Sequence, residues 1–118
     1  MKLFWQSGGG HGGAAAAPEV DVTAAHALHQ QGAQLIDVRE PFEFVSGHAE
    51  GARNIPLGEL RGRTGEIQSG TTVLLICQSG SRSGSAQRQL QQLGVSDVYN
   101  VTGGTSAWRR AGLPMQAG

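Results

Sequence analysis

The run Thr72-Val73-Leu74-Leu75-Ile76-Cys77, followed by Gln78-Ser79-Gly80-Ser81-Arg82-Ser83, constrains the fold more than any other stretch. Its β-branched and aliphatic residues read as a strand. The pattern after Ser83 places Ala86, Leu90 and Leu93 on one face of a helix. Between them lies a short polar loop, so the sole cysteine stands where a strand turns into a helix N-terminus. Loop amides and the positive end of the helix dipole both favour thiolate over thiol at such a place.

A lone cysteine closing an apolar strand is ordinarily a buried small hydrophobe. The loop changes that reading, because Gln78 to Ser83 include no large apolar side chain and suit the presentation of backbone N–H groups. Cys77 is therefore the candidate nucleophile, with Gln78, Ser79, Gly80, Ser81, Arg82 and Ser83 as the candidate anion-binding loop.

The pattern Cys77-x-x-Gly80-x-Arg82-Ser83 resembles the active-site loop of the rhodanese sulfurtransferases. Upstream, Leu35-Ile36-Asp37-Val38-Arg39-Glu40 with Gly47-His48-x-x-Gly51-Ala52-x-Asn54-Ile55-Pro56 is similar to that family's N-terminal signature. Gly103-Gly104-x-x-Ala107-Trp108 with Gly112-Leu113-Pro114 is similar to its C-terminal one. The resemblance spans about residues 19 to 115, with the three motifs in the family's order and spacing. Ala49 and Thr105 depart from it, each replacing a larger apolar residue.

A chain of 118 residues makes one domain, large enough to bury about two-thirds of its unfolded surface without disulfide or metal. Nine acidic residues balance nine basic ones and no basic cluster occurs, which argues against nucleic acid or an anionic membrane as the main partner. One cysteine cannot close an internal disulfide, which fits a reducing compartment; the expected location is the cytoplasm. No apolar run approaches the ~18 residues of a membrane span, and Met1-Lys2-Leu3-Phe4-Trp5 lacks the apolar stretch of a signal peptide.

Residues 1–18 read as a flexible Gly/Ala-rich segment, carrying Phe4, Trp5 and His11, ahead of a domain over residues 19–118. Val20 and Val22 suggest a short strand, and Thr23 a cap for a helix over residues 24–31. His26 and His29 on that helix read as surface histidines, since no third ligand follows at metal-site spacing. Residues 34–38 form the next strand, and Pro41 opens a short helix whose Phe42, Phe44 and Val45 are expected in the core.

A helix is expected around residues 57–60, then a polar loop over 61–70, where Arg61 and Arg63 read by default as solvated, with reach toward the site mouth as the alternative. Residues 98–101 form a further strand, Gly103-Gly104 a close-approach turn, and Thr105 or Ser106 the cap of a last helix that buries Trp108. Strands alternating with short helices imply a three-layer α/β domain with a mostly parallel sheet. The resemblance supplies the count of about five strands.

What the resemblance implies is sulfur transfer. Cys77 would take the outer sulfur of thiosulfate or a related small-molecule donor as a persulfide. An outside acceptor, cyanide in an assay and a thiol or protein in the cell, would remove it. Asp37, Arg39 and His48 are expected to support the loops, and Arg82 either to bind the donor or to pair with a carboxylate such as Asp37 or Glu40. Neither cofactor nor metal is required, and a monomer is expected. Two rivals share the scaffold. One is a binding or regulatory module with little catalysis. The other is a phosphatase or arsenate reductase, whose loop has five residues between Cys and Arg where this chain has four.

Overall fold

The computed structural model describes residues 18–118. The expectations for residues 1–17, including Phe4, Trp5 and His11, lie outside the described residues. The chain runs β1 (Glu19–Val20), α1 (Val22–Gln30), β2 (Gln34–Asp37), α2 (Pro41–Ser46), β3 (His48–Ala49) and β4 (Arg53–Asn54). A 3-10 segment (Leu57–Glu66) follows, then β5 (Val73–Ile76), α3 (Ser81–Gln92), β6 (Val98–Val101), α4 (Gly104–Arg110) and β7 (Met115–Gln116). Five strands form one parallel sheet in the order β1-β6-β5-β2-β4, and β3 with β7 makes a separate antiparallel ribbon.

Side chains alternate across a strand, so each central strand feeds two cores. Leu74 and Ile76 of β5 join Leu35, Val101, Ala25 and Trp108 on the side of α1 and α4. Val73 and Leu75 join Ile36, Val98, Leu60, Ala86 and Leu90 on the side of α3 and the 3-10 segment. Cys77 continues the second alternation and therefore turns toward α3, where Ser83 and Ala86 lie. β5 sits at the centre of the sheet, with β2 and β6 on its two flanks. The C-terminal ends of these parallel strands thus open at one place, where ligand sites of such sheets form.

Several local expectations are corrected. Val22 belongs to α1 rather than to a strand, and Asp21 caps that helix through its carboxylate on the Ala24 N–H (2.9 Å), leaving Thr23 inside the first turn. The stretch expected as a loop from Arg61 is helical through Glu66, kinked at Arg63. Neither arginine turns to the site: Arg63 pairs with Glu59 and Glu66, and Arg61 donates to Gln92. α4 begins from Gly103, with no side-chain cap from Thr105 or Ser106.

Phe42 and Val45 are not core residues; they are 73% and 49% exposed. A six-residue helix has a single inner face, and here Glu43 and Phe44 occupy it. Glu43 meets Arg82, while the Phe44 ring stacks on His48 at 3.6 Å. Phe42 and Val45, three apart, share the outer face. His26 lies edge-on to Trp108, and His29 Nδ1 bonds the Ala33 carbonyl, so both α1 histidines are engaged locally. Among the described residues no helix is long and apolar enough to cross a membrane.

Candidate active site

Cys77 directly follows β5 with its side chain buried, and the loop after it curls back over the sulfur. The Gly80 N–H donates to Sγ at 3.1 Å and the Ser83 hydroxyl approaches it at 3.3 Å. Burial pushes the Cys77 thiol up. Hydrogen bonds from the Ser83 hydroxyl and from the N–H groups of Ser83, Gly80 and Ser79 outweigh that, and the thiol titrates below the ordinary cysteine range. A sulfur ringed by donors holds negative charge more readily than a sulfur in plain core, which is what a nucleophilic cysteine requires.

The loop is held from three sides. From α4, the Thr105 N–H and hydroxyl both donate to the Cys77 carbonyl (2.8 and 3.1 Å), and the Ser106 N–H donates to the Gln78 carbonyl (3.1 Å). Those bonds turn the carbonyls of residues 77 and 78 toward α4. From β6, Asn100 donates to the Gly80 carbonyl (3.1 Å) and accepts from Ser83 (2.6 Å). From α2, Glu43 takes both terminal nitrogens of Arg82 at 2.7 and 3.0 Å.

Asp37, Arg39 and His48 lie further out. Arg39 forms a buried ion pair with Asp37 (2.9 Å) and donates to the Gly47 carbonyl (2.7 Å) and the Gln78 amide (3.4 Å). It thereby links the end of β2 to the cysteine loop. His48 Nδ1 bonds the Phe44 carbonyl (2.8 Å) and fixes the end of α2. Gln78 and Ser79 are exposed at the mouth, with Gln78 also donating to Ser106 (2.6 Å). Ser81 opens α3 and faces solvent.

Arg82 pairs with Glu43 rather than with Asp37 or Glu40. The local signal was present, because Glu43 stands three residues after Glu40 in a capping box, where it also accepts the Glu40 N–H (3.0 Å). Asn100 and Thr105 were not assigned to the site from sequence. The signal for Asn100 is a polar residue inside an otherwise apolar strand, which must find partners once buried.

The Arg82 hydrogen bonds hold the Glu43 carboxyl down from 4.5 to about 2. A depressed carboxyl stabilises the fold above its unfolded value and loses that contribution as pH falls through the folded one. Glu43→Gln and Arg82→Ala are each expected to melt lower than the parent near pH 6, by about 4 °C or less because the pair is partly solvated. The gap between Glu43→Gln and the parent should close between pH 4.5 and 2. Melting curves across that window check both, and the double variant should melt no lower than the worse single one.

A model of the Rhodanese-like domain family matches residues 21–111. The uncharacterized protein YqhL of Bacillus subtilis is 51% identical over 76 residues, covering 64% of this chain and 60% of that protein. An uncharacterized Synechocystis protein is 46% identical over 88 residues, 74% of this chain and 49% of its own length. The chain thus spans only about half to three-fifths of those two relatives. Thiosulfate sulfurtransferase 16, chloroplastic, of Arabidopsis thaliana is 39% identical over 111 residues, covering 83% of this chain and 92% of that protein. Among solved structures, a rhodanese-related protein from Thermoplasma volcanium superimposes with a TM-score of 0.78 at 30% identity, covering 86% of this chain and 99% of that one. A cysteine loop closing the central strand of a five-stranded parallel sheet is found here together with these matches, and the chain belongs to the rhodanese-like domain family, a family of sulfurtransferase type.

Proposed function

We propose that the domain moves a sulfane sulfur from thiosulfate or a related donor to a thiophilic acceptor through a Cys77 persulfide. The observation that carries this is the pair of hydrogen-bonding groups, the Gly80 N–H and the Ser83 hydroxyl, that face Sγ. The Cys77 thiolate attacks the outer sulfur of thiosulfate. A new S–S bond forms, the S–S bond of the donor breaks, and sulfite leaves with the electron pair. The persulfide's terminal sulfur is then attacked by cyanide or a thiolate, which takes that sulfur and returns the electron pair to Cys77 as thiolate. The Gly80 N–H, already aimed at the sulfur, stabilises the anion in both steps.

Every group this chemistry uses comes from one chain, so a monomer suffices, and neither metal nor cofactor enters the scheme. Because no second cysteine is present to resolve the persulfide, the acceptor is an outside thiol, on a small molecule or a protein. Thiolate chemistry of this kind fits a reducing compartment such as the cytoplasm. The arginine geometry favours sulfur over phosphorus chemistry. Each terminal nitrogen of Arg82 gives one N–H to Glu43, which fixes the fork on a carboxylate and offsets its charge, so a phosphoryl group would have to compete with Glu43 for it.

Intact mass spectrometry after thiosulfate treatment should show a gain of one sulfur atom on the protein, removed by cyanide. A folded protein whose mass does not change would leave the fold a binding module.

A further inference from the structure

The Ser83 hydroxyl has one proton and two acceptors. Asn100 Oδ1 lies at 2.6 Å and Cys77 Sγ at 3.3 Å, and a hydroxyl donates to only one of them at a time. Which end of the Asn100 amide faces Ser83 is settled by its other partner. Nδ2 donates to the Gly80 carbonyl, so turning the amide over would set oxygen against oxygen there. Asn100 Oδ1 is therefore the shorter and better acceptor, and its strand neighbour β5 and helix α3 shut it away from water.

Resting on the reading of Cys77 as the nucleophile, we propose that Asn100 is a positioning residue. It holds the Ser83 proton away from the sulfur in the resting thiol and yields it when negative charge gathers on Cys77. In the thiol state the Ser83 proton stays on Asn100, and a lone pair of the Ser83 oxygen is open to the S–H. When the sulfur ionises it loses a proton and needs a second donor beside the Gly80 N–H. The hydroxyl supplies one by rotating, at the cost of leaving the buried amide oxygen without its partner. The reactivity of the sulfur is thus set by a competition whose other side is on β6.

The charged groups around the sulfur are Arg82 of α3, its partner Glu43 of α2, and the Asp37–Arg39 pair at the end of β2. β6 and α4 contribute only the neutral Asn100, Thr105 and Ser106 there. Asn100→Leu changes none of these charges and keeps a similar volume, but abolishes the competing acceptor together with the bond to the Gly80 carbonyl.

The measurement is the pH profile of Cys77 alkylation by iodoacetamide, which reads the thiolate and needs no sulfur transfer. Asn100→Leu should shift the midpoint to lower pH and raise the rate on the acidic side about threefold, the scale of one redirected hydrogen bond. Ser83→Ala should shift it to higher pH, and adding Asn100→Leu to Ser83→Ala should then no longer move it down. A midpoint in Asn100→Leu at or above the parent's would overturn the proposal, since an amide that merely braced the loop through Gly80 would weaken the donors when removed. An equal effect of Asn100→Leu with and without the Ser83 hydroxyl would overturn it as well. If the parent acquires no sulfur from thiosulfate, the functional reading falls while this titration still reports on the Asn100–Ser83–Cys77 chain.

Discussion

Cys77→Ser is expected to lower thiosulfate:cyanide sulfur transfer by about a thousandfold or more, because an alkoxyl oxygen neither ionises at neutral pH nor carries a transferable sulfur. Its melting temperature should stay within about 4 °C of the parent. The side chain is buried, yet a serine hydroxyl there meets partners already in place, the Gly80 N–H and the Ser83 hydroxyl. Burying a polar group that finds partners changes stability by only about 1 kcal/mol. Steady-state assays beside thermal melts check both halves. Turnover retained in a folded serine variant would sink the persulfide mechanism.

Gly104→Ala is expected to damage fold and site together. Gly104 has φ +56, and a Cβ there would stand 2.5 Å from the Gln78 carbonyl oxygen and closer still to that of Cys77. Both obstacles are backbone, so no rotamer relieves them. The only escape is to move the cysteine loop off α4, which breaks the Thr105 and Ser106 bonds to the loop carbonyls. The melting temperature should fall by about 8 °C or more, at about 4 °C per kcal/mol for a domain of this size, and sulfur transfer by about tenfold or more. Gly112→Ala is the control. Its φ is +73 but nothing lies within 4 Å of the added Cβ. It should show only the left-handed cost of about 1 kcal/mol, with unchanged turnover. Equal losses in the two variants would mean that backbone conformation, not close approach, makes Gly104 matter.

The strand β5 was legible because a central strand in a parallel sheet is apolar on both faces, and β2 and β6 because β-branched and aliphatic residues cluster in them despite Gln34, Asp37 and Asn100. Cys77 was legible because an unbroken apolar run gives way to a loop with nothing to bury. The α2 residues were not. Hydropathy counts Phe42, Phe44 and Val45 alike, whereas the inner face went to an ion pair and a ring stack that hydropathy does not register. The same blindness hid the choice of Glu43 as the partner of Arg82. Three carboxylates lie within seven positions, at residues 37, 40 and 43, and only the packing of α2 against α3 selects among them. Thr105 looked like a helix cap, a role its residue type suits. Gly103 and Gly104 both have positive φ, however, and they deliver the chain into α4 with Thr105 already facing the Cys77 carbonyl.

The bond from Thr105 to Cys77 spans 28 positions, with all of α3 and β6 between its ends. A growing chain therefore contains its thiol before it possesses the residues that orient the surrounding carbonyls. Through residue 102 it has a cysteine at the end of a strand. Two residues later it begins to gain the helix that shapes the bowl. A chain that stops short of Thr105 therefore has the donors of residues 79–83 but not the bonds that turn the carbonyls of residues 77 and 78 toward α4. Such long-range closure also belongs among the slower steps of folding, since the intervening segment must be ordered first.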